Sequence, residues 1–177
     1  ISVSPAQQLR LNIKKKASES REAYTSDELQ VLFGSDKYPT FDKAFKFWVP
    51  LIGLYTGMRL EEICQLDLAD VKHHNGIWYF HVTDLSDDVE DNRTSATDDG
   101  SGKSVKTDTS RRTVPFHPFL MELHLPEYIE HLKSHSKGRL FFELKRKEYG
   151  YGDTVSRWFN KTYKTKYGFT SKGKDFH

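Results

Sequence analysis

Apolar residues recur at three- and four-residue steps in several stretches of the chain, and this spacing predicts amphipathic helices. The first helix begins at Thr25 or Ser26, either of which can cap a helix whose first turn is acidic. The second predicted helix spans residues 41–55. It contains Pro50, which predicts a kink or a broken start, because proline lacks the N–H that a helix interior uses. Further helices are predicted over 60–66, 118–134 and 154–167.

A second pattern, in which large β-forming residues alternate with polar ones, predicts strands. Ile77 to Val82 follows a predicted turn at 73–76, and residues 103–107 and 111–116 can supply strands that return against it. The stretch 84–102 is acidic and rich in Ser, Thr and Gly, so we expect it to form a hairpin insert at the surface. The predicted fold class is α+β, mainly α, with one small antiparallel sheet.

Length and composition predict one packed domain. The chain has 177 residues of which 14% are aromatic, enough apolar area to offset chain entropy. Residues 1–23 lack an apolar period and are basic, so they are predicted to be a linker that leads into a domain over 24–177. The single cysteine, Cys64, excludes an internal disulfide, and no apolar stretch is long enough to cross a bilayer. We therefore expect a cytoplasmic protein with no membrane contact.

The net charge of +2 is unevenly distributed along the chain. Residues 84–99 hold seven acids and one base, a local charge of −6, so the rest of the chain sums to +8. Basic residues cluster at 14–16, 103–112 and 145–147. This pattern favours a nucleic-acid partner, although runs of basic residues also occur as ordinary solvated surface.

The segment TGMRLEEICQL places an arginine directly after a glycine turn, at the start of a predicted helix. Arg59 in this position can direct its guanidinium at an anion. Glu62 lies three residues later on the same helical face and can orient Arg59. The alternative is an ordinary surface ion pair that contributes under roughly 1 kcal/mol.

These residues resemble the first arginine box of the tyrosine recombinases, the phage-integrase superfamily, and specifically its prophage-integrase branch. Lys106 in SVKTDTSRRTVPFHP resembles the family's hairpin lysine, which precedes a basic strand that ends in Val-Pro. The terminal KDFH resembles the entry to the family's His-x-x-Arg box, and YTSDELQVLF resembles the first helix of its catalytic domain. The resemblance covers Tyr24 to His177 and implies the N-terminal part of the recombinase catalytic-domain fold, incomplete at its C-terminus.

The resemblance implies a mechanism and a role for each matching residue. A tyrosine hydroxyl attacks a DNA phosphodiester, forms a 3′-phosphotyrosyl link and releases a 5′-hydroxyl, without ATP, metal or another cofactor. Arg59 would stabilise the phosphoryl charge, Lys106 would protonate the leaving oxygen as general acid, and His177 would donate to the phosphoryl group. Lys103 competes with Lys106 for the role of general acid, and Glu62 would orient Arg59. The residues expected to contact DNA are Lys15, Lys16, Lys103, Arg111 and Arg112.

The family's remaining arginine and its nucleophilic tyrosine would follow His177, so we expect the 177 residues alone to be inactive in cleavage and monomeric. The full-length protein would act as a tetramer on double-stranded DNA attachment sites. One alternative is a non-catalytic DNA-binding or regulatory module derived from a recombinase. A second alternative is a metal-dependent nuclease, because His124, Glu127, His131 and His135 recur at helical spacing. Leu125-Pro126 is expected to interrupt that helix, however, and the residues match no metal motif, so no metal site is predicted.

Overall fold

The computed structural model describes residues 22–34, 38, 41–83, 111–169 and 174 of the chain. Within these ranges the protein is α+β, with a three-stranded antiparallel sheet among short helices, which confirms the coarse fold class. The helices are α1 (Ser26–Phe33), α2 (Ala44–Thr56), α3 (Leu60–Cys64), α4 (Pro118–Glu122), α5 (Leu125–Ser134), α6 (Gly152–Trp158) and α7 (Lys164–Lys166). The strands are β1 (Val71–His74), β2 (Ile77–Val82) and β3 (Arg112–Pro115).

The first helix begins where its capping residues predict. Thr25 accepts a hydrogen bond from the backbone N–H of Glu28, and the Glu28 carboxylate accepts one from the N–H of Thr25 at 2.7 Å. This reciprocal arrangement satisfies two N–H groups that the helix leaves without internal partners. Lys174 donates to the same carboxylate at 2.7 and 2.8 Å.

The second helix passes through Pro50 without a break, so a broken start at this residue is wrong. Proline cannot donate to the Lys46 carbonyl four residues earlier. The hydroxyl of Tyr38 instead lies 3.3 Å from that carbonyl and 2.5 Å from the carbonyl of Phe47. A side chain from outside the helix therefore supplies the donor that proline lacks.

The sheet has the strand order β1-β2-β3, and both pairs are antiparallel. The predicted turn over 73–76 is wrong at His73 and His74, because both lie in β1 and pair with Trp78 and Ile77. The turn consists of Asn75 and Gly76 alone. Both have positive φ, 49° and 78°, as a two-residue hairpin of this kind requires.

The predicted helix over 118–134 is two helices, α4 and α5, separated at His124. This residue has a left-handed backbone with φ of 62°, and α5 restarts at Leu125-Pro126. The helical period predicts Phe119, Leu123, Tyr128 and Leu132 on the inner face. Leu132 is buried as expected, but the other three are only half-buried, whereas Leu120, Leu125 and Ile129 are fully buried. Residues 159–163 are likewise a π-helical turn inside the predicted final helix.

The main core lies between the sheet and helices α2, α3, α5 and α6. Phe80 of β2 is fully buried against Phe116, with ring centroids 4.4 Å apart, and Ile63 of α3 is also fully buried. A second cluster joins α1 to the π-helical turn, where the Tyr163 hydroxyl donates to the Leu32 carbonyl at 2.5 Å. Helix α3 packs against α2 and α6.

Candidate functional site: two arginines on a buried glutamate

Arg59 is presented by a tight connection between α2 and α3. Gly57 ends α2 in the left-handed conformation, with φ of 65°, which a side chain would disfavour. The Thr56 hydroxyl accepts a hydrogen bond from the N–H of Met58, whose side chain is buried in the core. Because both sides of the turn are fixed, Arg59 leaves it with an extended backbone and occupies the N-cap of α3.

Glu62 holds Arg59 in two ways. Its Oε2 accepts the backbone N–H of Arg59 at 2.9 Å, and its Oε1 accepts the guanidinium Nη1 at 3.1 Å. The Glu62 side chain is only 4% exposed, whereas that of Arg59 is 55% exposed. The predicted pairing is therefore confirmed in its geometry, with a buried carboxylate orienting an accessible guanidinium.

Arg112 of β3 also binds Glu62, a contact that the spacing of residues along the chain does not predict. Its Nη1 donates to Oε1 at 3.1 Å and its Nη2 to Oε2 at 2.9 Å, so the pair is bidentate. The two-residue period of a strand indicates that Arg112 points inward, because it shares a face with the half-buried Val114, while Arg111 and Thr113 are exposed. Arg112 thus ties β3 to α3, in addition to its predicted contact with DNA, which stays a prediction.

The carboxylate of Glu62 receives four hydrogen bonds, two on each oxygen. Burial by itself would raise the pKa of Glu62, but the hydrogen bonds and charges of Arg112 and Arg59 outweigh it and hold that pKa below its ordinary value of 4.5. The pKa of Arg112 is raised, mainly by its hydrogen bonds to Glu62. Among the described residues, one negative and two positive charges meet here, an excess of positive charge that suits an anionic ligand.

Glu61, the neighbour of Glu62, points to a different part of the molecule. Its Oε1 accepts the N–H of Tyr151 and its Oε2 the N–H of Gly152, both at 2.7 Å. A side chain at Gly150 would lie 2.5 Å from Oε1 of Glu61, so the close approach requires glycine there. The two adjacent carboxylates of α3 therefore fix β3 on one side and the start of α6 on the other.

The other predicted site residues fall into two groups. Arg111 is exposed immediately before β3. The remaining predicted residues, which lie outside the part of the chain that the structure describes, are Lys15, Lys16, Lys103, Lys106 and His177. The acidic insert also lies outside it. The structure thus brings Arg59, Glu62 and Arg112 together, and the general acid and the histidine stay predictions.

The histidines considered as metal ligands do not converge on one point. His124 lies 3.1 Å from Glu127, while the rings of His131 and His135 contact each other with centroids 4.2 Å apart. Among the described residues, no group of three or more His, Cys, Asp or Glu side chains could hold a metal ion.

Comparison of the chain with protein-family models, with curated proteins and with solved structures finds no match. The resemblance to the tyrosine recombinases therefore rests on the residues quoted above and stays a prediction. Within the described ranges, no helix has the length and apolar character needed to span a membrane.

Proposed function

We propose that this chain is the N-terminal part of the catalytic domain of a tyrosine-type site-specific DNA recombinase, and that double-stranded DNA is its ligand. In the full-length protein Arg59 binds the phosphate under attack, with Lys106 as general acid and His177 as a further donor. Catalysis proceeds through a 3′-phosphotyrosyl intermediate.

One observation carries the proposal: the accessible guanidinium of Arg59 is held by a buried carboxylate that also binds a second arginine. Phosphoryl transfer needs donors that are already oriented when charge develops on the oxygens, because reorienting them during the reaction would raise the barrier. Arg59 meets this need, since Glu62 fixes both its backbone N–H and its Nη1. An ordinary surface ion pair would not use a carboxylate that is 4% exposed.

The first test is binding of a labelled DNA duplex, measured by fluorescence anisotropy over a series of salt concentrations. Arg59→Ala should lower affinity about tenfold and reduce the salt slope by about 0.9, the value for one lost phosphate contact. Lys133→Gln is the matched control, because Lys133 also pairs with a glutamate three residues away, at 3.0 Å, on an exposed helix. Equal affinities for the wild type and Arg59→Ala would contradict the proposal.

The second test separates an enzyme from a non-catalytic relative. A nicked suicide substrate should trap no covalent adduct on the 177 residues, because the nucleophilic tyrosine is expected to follow His177. A gene that encodes the arginine and the tyrosine after His177 supports the enzyme, and its product should form the adduct without added metal. A gene that lacks them supports a DNA-binding module, and an adduct on the 177 residues alone would contradict the assignment of the nucleophile.

A further inference from the structure

A small hairpin over residues 147–150 projects from the surface just before α6. The N–H of Lys147 donates to the carbonyl of Gly150, and the N–H of Gly150 donates back to the carbonyl of Lys147, each at 3.0 Å. Glu148 and Tyr149 form the tip, and Tyr149 is 78% exposed, more than any other large apolar or aromatic side chain described. We call this element the 147–150 hairpin.

The base of the 147–150 hairpin is fixed to the helix that carries Arg59. Glu61 of α3 accepts the N–H groups of Tyr151 and Gly152, as described above. The guanidinium of Arg139 lies 3.6 Å from the ring centroid of Tyr151 and donates to the carbonyl of Cys64 in α3 at 2.8 Å. Two independent contacts thus hold the base of the hairpin against α3, which lowers the entropy cost of binding there.

The charge around the tip indicates the chemistry of the partner. Lys145, Arg146 and Lys147 are consecutive and exposed, and within the described ranges none of them forms an ion pair with a carboxylate. Glu148 is the one acid among residues 145–149. Exposed cations beside an exposed tyrosine fit a phosphate backbone, because lysine and arginine neutralise phosphates and a tyrosine hydroxyl donates to phosphate oxygens.

We propose that the 147–150 hairpin, with Lys145 and Arg146, is a second DNA-contact element that binds phosphates of the duplex whose scissile phosphate Arg59 contacts. The ligand is the one in the proposed function, on which this inference rests. The element positions the duplex and takes no part in the chemical step. An acidic protein segment is the competing partner, and the test must distinguish it from DNA.

The test compares a triple variant, Lys145→Gln with Arg146→Gln and Lys147→Gln, with the wild type on the same duplex. Three lost phosphate contacts should reduce the salt slope by about 2.7 and lower affinity more than tenfold at about 0.1 M salt. The matched control removes the same charge at exposed residues elsewhere: Lys43→Gln, Lys133→Gln and Lys137→Gln. Tyr149→Phe should weaken binding about threefold and leave the salt slope unchanged, since the lost hydroxyl carries no charge. Circular dichroism confirms that each variant is folded.

The outcomes distinguish failure of the hairpin inference from failure of the proposed function. If the wild type binds the duplex and the triple variant keeps its slope, the hairpin inference is wrong and the proposed function stands. Equal losses in the triple variant and its charge-matched control would also overturn the inference, because net charge alone would explain them. If the wild type binds poly-glutamate but no duplex at any salt concentration, both proposals are wrong.

Discussion

Replacing Glu62 with glutamine tests the arrangement of the two arginines most directly. The carboxylate accepts two hydrogen bonds on each oxygen, one from each arginine. Glutamine keeps one acceptor oxygen and turns the other position into an NH₂ group that faces two N–H donors. Two of the four hydrogen bonds are therefore lost, and the two guanidinium groups lose the negative charge between them.

The size of the effect follows from burial. Hydrogen bonds to charged groups contribute about 1.5–3 kcal/mol each when they are well shielded from water. The arginine side chains are 55% and 37% exposed, so solvent screens part of this. We expect Glu62→Gln to lower the free energy of unfolding by about 2–3 kcal/mol at pH 7. Urea denaturation should show a lower midpoint with an unchanged slope.

The pH dependence gives the same prediction an independent readout. The pKa of Glu62 is lowered in the folded protein, so its contribution is fully present above the unfolded value of 4.5 and is lost as pH falls through the folded pKa. The stability difference between wild type and Glu62→Gln should therefore shrink on going from pH 7 to pH 3. Glu130→Gln is the control, because Glu130 pairs with Lys133 on an exposed surface and should cost under about 0.5 kcal/mol. A difference that small for Glu62→Gln, or one that does not change with pH, would refute the reasoning.

Two further predictions concern the backbone. Gly150→Ala should lower the free energy of unfolding by about 2–3 kcal/mol, because the residue has φ of 102° and its new Cβ would meet the Glu61 carboxylate. Gly168→Ala, with φ of 82° and no atom nearby, should cost only about 1 kcal/mol, and equal losses in urea denaturation would rule out the Glu61 contact as the cause. Tyr38→Phe should cost about 1–2 kcal/mol in the wild type but less in a Pro50→Ala background, where the new N–H can reach the Lys46 carbonyl. A double-mutant cycle measures this coupling, and strict additivity would contradict it.

The sequence was a good guide where one local pattern decided the structure. Alternating large residues placed β2 at Ile77–Val82, as observed, and the three-residue spacing of Arg59 and Glu62 indicated their pairing. Strand β1 was missed because its pairing depends on backbone hydrogen bonds, and His73 and His74 are polar residues typical of a turn. A polar strand at the sheet edge leaves little signal in its side chains.

Other features depended on contacts between distant residues, which no local pattern contains. The continuity of α2 through Pro50 depends on Tyr38, which lies outside the helix. The bidentate pair joins Glu62 to a strand fifty residues later in the chain. A helical period extended through His124, where the backbone is left-handed, correctly places Leu132 in the core, but it selects the half-buried Tyr128 and misses the fully buried Leu125 and Ile129.

Helix α3 also constrains how the gene can change in length. Adjacent helical residues point about 100° apart, so Glu61 and Glu62 can serve α6 and β3 at once only in the present register. A single inserted or deleted residue between Arg59 and Glu61 would rotate both carboxylates away from their partners together, whereas substitutions affect them one at a time. Length variation among descendants of this sequence should therefore be absent from 59–62.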